Sequence, residues 1–125
     1  MNVEKFLSVY NERRNGANQF YKHPLVRNFH YSDGVRDLAL TGCYWMLDVA
    51  ATEIPAAMRK HEEIHGILEV TVSLAQTCRM ELTVDDDKPA IWKKLVGPTT
   101  LPVGTWLFDL ADEGERVAMI LLSEH

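Results

Sequence analysis

The sequence has no long apolar run, no glycine-rich phosphate loop and only 2 cysteines, and each shortage removes a class of protein. A membrane-spanning helix needs about 20 consecutive apolar residues, whereas the longest candidate here, Val117 to Leu122, is of strand length. The first residues lack the basic-then-apolar order of a secretion signal. Cys43 and Cys78 lie far apart, so free buried thiols and cytoplasmic residence are expected. Without a nucleotide-binding glycine string, dinucleotide and phosphate chemistry have no support. Basic residues are also in the minority: 13 Lys and Arg against 18 Asp and Glu leave a net charge of -5. Arg13-Arg14 and Lys93-Lys94 are isolated pairs, too little for the counterion release that drives nucleic-acid binding. Such a surface favours solubility and a basic protein partner.

What is present is an ordinary globular composition, 46% hydrophobic and 25% charged over 125 residues. A chain of this length buries roughly two-thirds of the surface its unfolded form exposes, enough for one core without metal or disulfide. No repeat or linker divides it, so residues 1–125 read as one domain with a helical half to about residue 66 and a strand-rich half from about 67. Val3, Phe6, Leu7 and Tyr10 fall at helical spacing after Asn2, a capping residue, and Asn15-Gly16 closes the segment. Ser32 and Asp33 open a second helix, which Gly42 stops. A third begins near Cys43, meets Pro55 as a kink or fresh start, and ends at Gly66.

Beyond Gly66 the period changes to two. Leu68, Val70, Val72 and Leu74 alternate with polar residues, as do Cys78, Met80, Leu82 and Val84. Ala90 to Val96, Thr105 to Ala111 and Val117 to Leu122 complete the strands; the last is apolar throughout, as a central strand would be. Helices first and a meander afterwards predict an α+β fold, with N-terminal helices on one face of a four- to five-stranded, largely antiparallel sheet.

Few residues suggest chemistry. In His61-Glu62-Glu63-Ile64-His65 two imidazoles at i and i+4 on a helix could hold zinc, with Glu62 polarising a bound water and His23, His30 or His125 as a third ligand. Its surroundings, Lys60, Glu63 and Gly66, are polar and terminal, unlike the buried helix of a zinc hydrolase, so surface imidazoles in a last helical turn are the preferred reading. Cys43, at a helix start, reads as an inert buried thiol rather than a nucleophile. Asp85 to Asp87 lack the spacing of a calcium loop and read as a solvated turn.

The segment Phe20 to Asp48 concentrates aromatic, His and Asp residues. Phe20-Tyr21-Lys22-His23, Tyr31-Ser32-Asp33-Gly34-Val35, Tyr44-Trp45-Met46-Leu47-Asp48 and the later Ser123-Glu124-His125 form a signature. It resembles that of an uncharacterised small domain family of bacteria and their phages, F-Y-x-H, Y-S/T-D-G-V, Y-W-x-x-D and S-E-aromatic. His125 departs from that pattern, and the H-E-E-I-H string is no part of it. Ser32, Asp33 and Gly42 have structural employment as helix signals, which leaves His23, Tyr31, Trp45 and Asp48 as candidate binding residues. Asp33 and Asp48 could converge with His23, either as a pocket or as a brace for a loop. The resemblance implies a non-enzymatic accessory protein of phage or mobile-element origin that binds a host protein, for example inhibiting a CRISPR defence complex. The alternative is a small zinc-dependent hydrolase using His61 and His65.

Overall fold

The computed structural model describes residues 2–12 and 19–124. The paired Arg13-Arg14, the stop at Asn15-Gly16 and His125 lie outside the described residues. Helix α1, Val3–Asn11, begins as its sequence dictates: the Asn2 side chain accepts the Lys5 N–H at 3.0 Å, and Phe6 is buried against Trp106 with their rings edge to face. Helix α2, Asp33–Ala39, is capped by Ser32, whose Oγ accepts the Val35 N–H at 3.1 Å. Gly42, at φ 126°, then turns the chain into helix α3, Tyr44–Lys60.

Pro55 neither breaks nor restarts α3. The helix forgoes the bond residue 55 would donate to the Ala51 carbonyl, a loss of about 3 kcal/mol in an isolated helix. Burial of Met46, Leu47, Ala50, Ile54 and Met58, together with Pro55 itself, offsets it. The stop differs from the expectation at Gly66. Glu62 takes the left-handed conformation, φ 54°, and the Glu62 and Glu63 N–H groups bond the Arg59 and Met58 carbonyls, a Schellman termination.

Among the described residues seven strands form one sheet: β1 Phe20–Lys22, β2 Phe29–Ser32, β3 His65–Val72, β4 Thr77–Thr83, β5 Trp92–Pro98, β6 Gly104–Asp112 and β7 Val117–Leu121. Their order is β1-β2-β7-β6-β3-β4-β5, and a short 3-10 turn, Leu122–Glu124, follows β7. The α+β class stands, but four to five strands become seven, and the sheet is mixed because β2 runs parallel to β7. The two extra strands are three and four residues long, too short for period two to register. Both interrupt the half of the chain expected to be helical. Leu74, expected to face inward, instead sits in the β3–β4 turn and is 92% exposed. Gly66 lies within β3, where an added Cβ would meet Leu82 at 3.0 Å.

The core forms where Leu68 and Val70 of β3, Met80 and Leu82 of β4, Phe108 and Leu110 of β6, and Met119 and Leu121 of β7 meet the inner faces of α2 and α3. Alternate positions such as Glu69, Glu81 and Thr105 occupy the other face of the sheet. Among the described residues no helix is long and apolar enough to cross a membrane.

Candidate functional site

The four signature pieces, far apart in sequence, come together through the parallel β2–β7 pair and the start of α3. His23 follows β1, and its backbone N–H closes the β1–β2 connection on the Phe29 carbonyl at 2.9 Å. Its ring is 1% exposed. Nδ1 accepts two backbone N–H groups, from Leu25 at 3.2 Å and Val26 at 3.1 Å, so the network places the ring proton on Nε2. That nitrogen then donates to Asp48 Oδ1 at 2.7 Å, from a helix 25 positions away in sequence. His23 and Asp48 therefore do converge. With both ring nitrogens committed, however, His23 braces a loop against α3 and has no free site for a substrate proton.

Tyr31 is buried on β2, stacked on Tyr21 with ring centroids 6.0 Å apart, and its hydroxyl lies 3.4 Å from that of Tyr44. Burial first, then the Tyr31 hydrogen bond and the neighbouring Tyr31 and Asp48 charges, push the Tyr44 phenol up to about 12. The Arg36 guanidinium sits 4.9 Å above the Tyr21 ring. Asp33 does not join this cluster through His23; its carboxylate accepts the adjacent Gly34 N–H at 3.1 Å.

The remaining piece explains Gly34. Glu124, 2% exposed, reaches back to the start of α2, where Oε1 accepts from Ser32 Oγ at 2.5 Å and from the Leu121 N–H at 2.8 Å. A Cβ on residue 34 would lie 2.6 Å from the Glu124 carboxyl carbon. Ser-Asp-Gly and Ser-Glu are thus two halves of one packed junction, with Ser32 serving both as helix cap and as donor to Glu124.

Trp45 differs from its neighbours in the signature. Half-buried at the start of α3, it faces away from the tyrosine cluster and lines a groove of about 490 Å³ with Gly42, Val96, Pro98, Thr99 and Thr100. The far wall is held in place by Gln76, at φ 59°, whose Nε2 donates to the Thr99 and Leu101 carbonyls at 3.0 and 2.9 Å. Further along the gap between α3 and β5, Lys94 Nζ bonds Glu53 at 2.8 Å. Beyond it a second hollow of about 380 Å³ is bordered by Ala56, Lys60, His61, Ile91 and Trp92. Sequence reading missed this side because Ala90 to Val96 has no clean alternation. The signal it offered was Trp92 within a lysine-bearing strand before Gly97-Pro98.

The H-E-E-I-H string does not form the geometry a zinc site on one helix requires. Helix α3 ends at Lys60, His61 follows it, Glu62 is the left-handed stop, and His65 opens β3. His61 borders the α3–β5 hollow, whereas His65 Nε2 pairs with the buried Asp109 of β6 at 2.5 Å. Of the proposed third ligands, His23 is engaged as above and His30 lies 3.4 Å from the Arg116 guanidinium, while His125 is outside the described residues. Burial, then Arg116 and Lys22, lower the His30 pKa from its ordinary value. Among the described residues no group of three His, Cys, Asp or Glu side chains is placed to hold a metal ion. Cys43 is equally unsuited to nucleophilic work, since burial raises its thiol to about 11 and its Sγ donates to the Leu38 carbonyl.

Comparison with known families gives one match, to a family of unknown function, DUF6876, over residues 8–125. No curated protein and no solved structure matched. Because the match spans nearly all of the sequence, the chain belongs to this family.

Proposed function

We propose that this family member acts without catalysis, by binding another protein in the groove between α3 and β5. The observation that carries the reading is the division of labour within the signature. His23, Tyr31 and Asp48 are spent on holding the fold, while Trp45 presents an aromatic face to a groove whose rim is already ordered by Gln76. Half-buried tryptophan beside proline, valine and threonine hydroxyls is the composition of an interface anchor. In its narrower form the partner is a host protein, such as a subunit of a CRISPR defence complex that the protein would inhibit. The resemblance of the signature to a phage-linked family supports that form.

The test is capture from bacterial lysate with the tagged full chain, beside the variants Thr100→Arg and Ala56→Arg, which alter exposed groove residues without touching the core. A stoichiometric partner retained by the parent and lost by both variants, at unchanged melting temperature, is the expected result. No stoichiometric partner, or one indifferent to both substitutions, would overturn the reading.

A further inference from the structure

We draw no further inference here: the strongest candidate, the open edge of β5 with the two hollows between it and α3, has Lys93 opposite Glu81, Lys94 on Glu53 and Lys88 beside Asp85 to Asp87, so its charges offset one another and nothing in the structure shows what chemistry covers it.

Discussion

Gly34→Ala adds one methyl group, and the structure gives it no room. The new Cβ would stand 2.6 Å from Glu124 Cδ and 2.7 Å from both carboxylate oxygens, so the side chain of Glu124 must leave its seat. Leaving breaks the hydrogen bonds from Ser32 Oγ and from the Leu121 N–H. Bonds to a charged acceptor contribute about 1.5–3 kcal/mol each, and a stranded buried N–H adds its own desolvation. Against this, alanine is favoured over glycine in a helix by about 1 kcal/mol. The net expectation is a destabilisation of roughly 2–4 kcal/mol, which for a domain of this size lowers Tm by roughly 10 °C. The assay is a double-mutant cycle by urea unfolding, with Glu124→Ala as the second arm. Once Glu124 is truncated the obstacle is gone, so Gly34→Ala in that background should be neutral or stabilising by up to about 1 kcal/mol. Equal destabilisation in both backgrounds, within about 0.5 kcal/mol, would refute the account, because it would mean that the glycine answers to something other than the carboxylate.

Three further outcomes follow from the same geometry. Glu62→Gly, at the left-handed stop of α3, should raise stability by about 0.5–1 kcal/mol in thermal unfolding, the opposite of damage to a working site. His23→Leu should cost roughly 2–4 kcal/mol in urea unfolding, since two backbone N–H groups lose their acceptor in a buried site; Asp48→Ala, whose carboxylate is half exposed, should cost about 1. With its phenol at about 12 in the folded state against 10 as an ordinary tyrosine, Tyr44 contributes stability that is fully present below pH 10 and is lost as pH rises towards 12. Tyr44→Phe should abolish that alkaline slope and remove the last step of an ultraviolet tyrosine titration.

The parts legible in the sequence were those written in local chemistry. Asn2 and Ser32 cap the helices expected of them, and Gly42 turns the chain after α2. Period two marked β4 and β6, because each keeps one face in the core: Cys78, Met80 and Leu82 on one, Trp106, Phe108 and Leu110 on the other. β1 and β2 escaped because strands of three and four residues carry too few alternations, and their place is set by pairing with distant β7 rather than by their own propensity. For the same reason Gly34 and Glu124 read as separate motif fragments, although each constrains the other. Among the candidate residues, sequence grouped His23 with Asp48 and structure agrees. What sequence could not supply was direction: Trp45 turns outward to β5 while Tyr44, one position earlier, turns to Tyr31. Successive helical positions are about 100° apart, and which of them meets the core is a tertiary fact.

The parallel pairing of β2 with β7 carries a consequence for the order of events during synthesis. Phe29 pairs with Val117, and Ser32 bonds Glu124 across 92 positions of chain. A ribosome delivers residues in sequence, so β1, β2 and the cap of α2 emerge early and must wait for β7 before their sheet edge is covered. Any fragment that stops short of Val117 keeps Phe29 and Tyr31 beside an unfilled strand position. Pairings of such long sequence separation are slow to form, so a nascent chain of this protein passes through an interval in which its best-defined segment is made but not yet shielded, and an arrested message should yield a product that aggregates or is degraded rather than a partly working protein.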